Sequence, residues 1–261
     1  MHKALFCRDV QTLWKPWLIF SAILTMYTVV IISMFDPSLG ESLNLMMESM
    51  PELFSAFGMN NPGATLLDFI ANYLYGFLLI CLPLVMELIM VNILMTRYLD
   101  RGAMAWLLAS RTKIAFTQAA ALVAAVLVQM AYITAVGIIF AQISFGGELD
   151  IGRFLYLNVG LFGLHLLLSG LCFLGSCLFQ EGRYALGFGG GLGILFVLFQ
   201  MLSQVGEEAE FLKYLTPLTL FDPKSLAMGE TVWPSILALC LGGAALYGIG
   251  IFFFGKKDLS L

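Results

Sequence analysis

The chain has 261 residues, 60% hydrophobic and only 11% charged, with a formal net charge of −4 and a mean hydropathy of +0.92. Soluble domains run near a quarter charged and about half apolar, so this composition excludes a water-soluble fold and calls for an apolar solvent. The acidic balance also argues against a nucleic-acid partner, which would want a basic face.

The leader, residues 1–15, sets Leu5, Phe6, Val10, Leu13 and Trp14 on one side of a helix and Lys3, Arg8, Gln11 and Lys15 largely opposite. That pattern predicts an amphipathic helix on the inner leaflet. Six apolar runs follow, at 16–35, 66–95, 114–143, 154–179, 185–205 and 233–254. Each is long enough to span, since a roughly 30 Å hydrocarbon core requires about 20 residues. None alternates strictly, so helices are expected rather than a barrel. The first run is expected to stay as an anchor rather than be cleaved as a signal. The fifth run is rich in glycine, Gly187 to Gly193, and its Gly189/Gly193 pair suits a close helix contact. The predicted class is therefore an all-α integral membrane protein with six spans in one domain.

Between the spans, 36–65 and 206–232 form longer loops on one side, and 96–113 a loop on the other. Residues 42–57 carry Met and Leu at helical spacing and predict a short surface helix broken near Pro51. Residues 206–232 are expected to dip partly into the membrane. All of the 13 Lys and Arg except Arg153, Lys213 and Lys224 fall on the side of the N-terminus, the 96–113 loop and the C-terminus. The positive-inside rule therefore predicts both termini in the cytoplasm.

Little in the sequence carries chemistry. Gly250 to Gly255-Lys256-Lys257 fits a phosphate loop by spacing but has Lys where Ser or Thr must hold Mg²⁺, and it lies in a span. The five cysteines form no CxxC pair. His2 and His165 have no metal-ligand spacing. No catalytic residue, metal site or resident cofactor is predicted. Glu87 is the one acid deep in a span, a functional candidate by its cost alone. On a regular helix, Asp68, Asn72, Gly76, Pro83 and Glu87 share a face. A second stripe runs through Asn158, His165, Ser169, Cys172 and Ser176. Asn72, Pro83, Glu87, Asn158, His165 and Ser169 are thus candidates to line a substrate path, or else to bond helices together. The loop reading TRYLDRGAMAWLLASRTK encloses the apolar cluster Met104, Trp106, Leu107 and Leu108 in charge, which suggests docking to a cytosolic partner.

At this loop the chain resembles the type-2 permeases of ATP-binding-cassette exporters. The likeness rests on Asp100-Arg101-Gly102, Met104, Leu107-Leu108 and Arg111, on Phe35-Asp36-Pro37, and on Pro51 with Ala56-Phe57-Gly58. Tyr73, Tyr75-Gly76, Pro83 and Leu218-Thr219-Leu220-Phe221 add to it. The segment after Leu107-Leu108 is a few residues shorter than in that family. The resemblance implies that the leader is a connecting helix. It also implies that Asp100, Arg101, Gly102, Met104, Trp106, Leu107 and Leu108 form a coupling helix seated on a separate ATP-binding subunit. It implies a second permease chain, identical or related, with ATP and Mg²⁺ held on the partner ATPase, in the plasma membrane of a bacterium. The expected cargo is an amphipathic peptide, antibiotic or lipid. Two other readings compete. One is a non-transport scaffold or immunity protein that binds a toxin or a lipid-synthesis enzyme. The other is a proton-driven transporter using Glu87.

Overall fold

The computed structural model describes residues 3–36, 48–56, 65–96, 111–179, 181–205, 207–230 and 232–256. These form helices and turns, with no strand among the described residues. Among the described residues, six helices are long and apolar enough to cross a bilayer, so the chain is a multi-pass α-helical membrane protein, as composition predicts.

Helix α1 runs unbroken over Lys3–Ser33. The boundary expected between an amphipathic leader (1–15) and a first span (16–35) is therefore not a break in the helix. Pro16 removes one ladder bond, to the Thr12 carbonyl, and the turns on either side hold. At 1.5 Å per residue the helix is about 46 Å long, so its N-terminal turns, which carry Arg8 and Lys15, overhang a roughly 30 Å hydrocarbon core. Between the first and second spans, α2 (Pro51–Ala56) opens on Pro51, where a missing N–H costs nothing. Ser55 of α2 donates to the carbonyl of Gln204.

The second span departs from the uninterrupted helix expected over 66–95. It consists of α3 (Leu66–Ile70), a π turn (Ala71–Tyr75), a turn at 76–77, α4 (Leu78–Val91) and a second π turn (Asn92–Thr96). Phe77 leaves the helical region at φ −143°, and the ladder restarts on its carbonyl with Ile80 and Cys81. A single 100° register thus does not run from Asp68 to Glu87. Asp68 sits in the first turn of α3, capped by Thr65, while Pro83 and Glu87 belong to a separate helix.

The remaining spans are α5 (Arg111–Ser144), α6 (Ile151–Leu178), α7 (Gly182–Ser203) and α9 (Trp233–Lys256). Asp150 caps α6 by accepting from the Arg153 N–H at 3.1 Å. The glycine-rich fifth run is a continuous helix. Before α9, residues 207–228 fold as two 3-10 turns, Glu207–Leu215 and Pro217–Leu220, and the short helix α8 (Pro223–Met228). Leu218, Phe221, Leu226 and Ala227 of this segment are buried, so it caps the bundle rather than hanging free.

Helix α6 is the axis. Across its apolar window 78% is buried, against 22% for α7 and 28% for α9. With lipid as apolar as leucine, helices associate by close packing, which favours glycine at contacts. A Cβ on Gly243 of α9 would lie 2.8 Å from the Leu166 backbone of α6, and one on Gly189 of α7 would lie 2.8 Å from Cys172 Cα. Gly193 packs instead on Leu84 of α4, so the Gly189/Gly193 pair serves contacts inside this chain.

The two ends of the bundle differ in charge. Gly255 of α9 abuts Thr112 of α5, and Gly250 abuts Phe173 and Cys177 near the end of α6. Leu13 and Trp14 of α1 pack beside Ala121 of α5. Lys3, Arg8, Lys15, Arg111, Lys113, Arg183 and Lys256 therefore belong to one end. Phe35, Phe69 and Phe145 meet at the other, the end of Glu52, Glu148, Glu210 and Asp222.

Candidate functional site

Pro83 has no N–H to give its i−4 carbonyl, that of Leu79. His165 of α6 fills the vacancy: its Nε2 lies 2.7 Å from the Leu79 oxygen. A carbonyl can only accept, so Nε2 carries the proton and donates. The other ring nitrogen, Nδ1, is 2.9 Å from Glu87 Oε1, one turn beyond Pro83. One further proton is shared on that line. With it on Nδ1 the two groups are imidazolium and carboxylate; with it on Glu87 they are imidazole and carboxylic acid. In both forms the pair is electrically neutral, which removes most of the cost of burying a lone carboxylate. Both residues have no solvent exposure. Glu87 Oε2 has no hydrogen-bond partner.

The cluster extends along α6. Ser169 Oγ donates to the His165 carbonyl at 2.6 Å, and Tyr247 of α9 donates to Ser169 Oγ at 2.9 Å. Two turns before His165, Asn158 accepts from Tyr75 at 2.9 Å and donates to the Phe154 carbonyl at 2.8 Å. Tyr75 ends the first π turn, a backbone irregularity that often accompanies functional sites. The candidates Pro83, Glu87, Asn158, His165 and Ser169 are thus brought together on the face where α6 meets the second span and α9. Asn72 is buried within the π turn. A polar tie also joins α1 to α5, where Ser21 donates to Gln129 Oε1 at 2.9 Å. Another joins α5 to the second π turn, where Gln118 donates to the Leu94 carbonyl at 2.7 Å.

The contacts of Glu87, Asn158, His165 and Ser169 described above run to another helix or to their own, and all six candidates are buried. The arrangement suits cross-linking of spans, since intramembrane polar groups hold helices together when they meet. Among the described residues, no three His, Cys, Asp or Glu side chains converge to hold a metal. The coupling candidates Asp100, Arg101, Gly102, Met104, Trp106, Leu107 and Leu108 lie outside the described residues.

The structure also forms a polar cavity of about 340 Å3 at the acidic end, which the sequence reading missed. Its floor is Ala71, Gly76 and Ile80 of the broken second span, and its walls come from the end of α7 and the 207–228 cap. Its only sequence signal was the length of 206–232, too long for a plain turn. A second, apolar groove of about 230 Å3 lies between α1 and α5, lined by Trp14, Trp17 and Ala125 among others.

Comparison with known proteins gives no matching family model, and no curated protein or solved structure similar to the chain.

Proposed function

We propose that the chain is the membrane-spanning permease subunit of an ATP-driven exporter, powered by a separate ATP-binding-cassette subunit and paired with a second permease chain. In this reading it moves an amphipathic peptide, antibiotic or lipid across the plasma membrane of a bacterium. The observation that carries the proposal is the 97–110 segment: Asp100-Arg101-Gly102, Met104 and Leu107-Leu108, in that order, between the second and third of six spans. Its flanks, Thr96 and Arg111, are helix ends at the basic end of the bundle. The positive-inside rule makes that end cytoplasmic, where an ATPase would dock. The chain needs no nucleotide site or catalytic residue of its own for this role.

ATP acts in such an assembly by favouring one conformation of the ATPase pair. The loop transmits that preference to the spans, and it can do so only through a different affinity for the two states. Alanine at Asp100, Met104 and Leu108 should therefore leave membrane insertion intact and lower export per ATP hydrolysed in reconstituted vesicles. Unchanged coupling in all three variants would sink this mechanism and favour the scaffold or immunity reading.

A further inference from the structure

Three aromatic rings fix a depth at the acidic end. Phe35 follows the last turn of α1, Phe145 follows the last turn of α5, and Phe69 lies in α3. The Phe35 ring centroid is 5.6 Å from that of Phe69 and 5.4 Å from that of Phe145. Charge resumes just beyond the two helix ends, at Asp36 and Glu148, so the rings mark the outer edge of the hydrocarbon. From there the second span runs inward. At 1.5 Å per residue, Gly76 lies about 10 Å and Ile80 about 15 Å below the rings, the latter about half of a roughly 30 Å core.

The 207–228 segment descends to the same level. Tyr75, just before Gly76, bonds Asn158 of α6 at 2.9 Å. Half a turn further along α6, a Cβ on Gly160 would meet Leu226 at 3.0 Å and Phe221 at 3.3 Å. Irregular backbone thus reaches into the outer half of the bilayer from two sides: the 207–228 turns, and the break at Phe77 with its φ of −143°. At such depth it is tolerated only where protein buries it or a water-filled cavity adjoins it.

The cavity of about 340 Å3 lies between the two, with Ala71, Gly76 and Ile80 as its floor. Its wall carries Glu210, Lys213, Asp222 and Lys224, which an acyl chain would desolvate at high cost. The side chains of Glu210 and Lys213 are 60% and 37% exposed, so the wall is continuous with the outside. The inner end is closed. The small pocket beyond Gly76 and Ile80, which reaches Phe77, Cys81 and Leu218, measures about 10 Å3, room for no more than about one water.

We propose that this cavity is an aqueous vestibule that admits water and small hydrophilic solutes from the acidic side into the outer half of the bilayer, past the break in the second span, and ends at Ile80. Two acids balance two bases on its wall, so it takes small anions and cations alike. The inference rests on this geometry and stands apart from the exporter reading.

The test is the reactivity of single introduced thiols in the full-length protein in sealed membrane vesicles. Peptide mass spectrometry reads each site and counts the native cysteines separately. Two membrane-impermeant methanethiosulfonates, one anionic and one cationic, are added on the acidic side. The thiolate is the reacting form, and a thiol in apolar surroundings stays protonated. Gly76→Cys and Ile80→Cys place thiols on the cavity floor. Leu198→Cys is the lipid control. The contacts of Gly190 with Leu88 and of Gly193 with Leu84 set Leu198 level with Ile80. Leu198 is 48% exposed yet outside the cavity lining. Glu230→Cys, at an exposed position of the acidic end, gives the rate in free water. The floor thiols should react with both reagents within about a hundredfold of Glu230→Cys, and at least about tenfold faster than Leu198→Cys. Where Gly76→Cys does not fold, Ile80→Cys, a smaller side chain in a regular helix, carries the test. A floor thiol that reacts no faster than Leu198→Cys, or that reacts with a reagent of one sign only, overturns the proposal.

Discussion

Replacing His165 with phenylalanine removes both of its hydrogen bonds while keeping a ring in the space. The bond to Glu87 at 2.9 Å and the bond to the Leu79 carbonyl at 2.7 Å are lost. Interhelical bonds in membranes average about 0.6 kcal/mol and reach about 1.7. The substitution also strands a buried carboxyl and a buried carbonyl, each costing about 1–3 kcal/mol when nothing replaces the partner. Together these predict a loss of about 2–5 kcal/mol. The partner substitution is Pro83→Ala, which restores an N–H four residues beyond Leu79. In the native background the Leu79 carbonyl already has a donor and gains little. In the His165→Phe background the same N–H satisfies an orphan, so Pro83→Ala should recover about 1 kcal/mol there beyond its effect alone. Any general gain from removing a helix proline cancels in the double-mutant cycle. The assay is reversible unfolding in mixed micelles of rising SDS fraction. A coupling under about 0.3 kcal/mol, within ordinary additivity, would refute the link between Pro83 and His165.

Other outcomes follow from single contacts. Gly243→Ala places a methyl 2.8 Å from the Leu166 backbone and should cost about 1–3 kcal/mol as overpacking; Gly248→Ala meets nothing within 4 Å and should be near neutral in the same SDS unfolding assay. Tyr75→Phe removes the bond to Asn158 and should cost about 0.5–2 kcal/mol, read as a lower unfolding midpoint. Lys224 gives a pH test. Its folded value is depressed by burial, so the unfolded chain binds more protons just below 10.5. Stability should therefore rise with pH through that window, and the rise should vanish in Lys224→Met. The exposed Glu210–Lys213 pair behaves otherwise. Hydrogen bonding and the charge of Lys213 lower the Glu210 value, and Glu210 raises that of Lys213. Its contribution is full between the carboxylate and ammonium ranges and fades at either extreme. Added salt should screen it, so Lys213→Gln should matter less at high ionic strength.

What the sequence could show depended on whether the physics was local. Six spans were legible because a segment in lipid must satisfy its own backbone over about 20 residues, and the glycine-rich fifth run obeyed that demand like the rest. The stripe Asn158, His165, Ser169 was legible for the same reason, since α6 is a regular helix. The stripe on the second span was only half right, because the π turn and the break at Phe77 reset its register, and nothing among those apolar residues marks the reset. Pro83 did announce that the Leu79 carbonyl would lose its donor. Which side chain would take its place, 86 residues away, is a tertiary fact. The polar cavity was out of reach for a similar reason: Gln200, Ile80 and Lys224 converge only when the aperiodic 207–228 segment folds back over the broken span. The leader and first span fused because a helix about 46 Å long outreaches the hydrocarbon without needing a joint.

The exporter reading is tested most directly by isolating the tagged chain from its native membrane in mild detergent and identifying what accompanies it. An exporter subunit should bring with it a stoichiometric ATP-binding-cassette subunit whose hydrolysis this chain stimulates, together with a second permease chain. A stable complex with a non-ATPase partner, or a chain that carries no ATPase while other complexes of that class survive the same extraction, would contradict it.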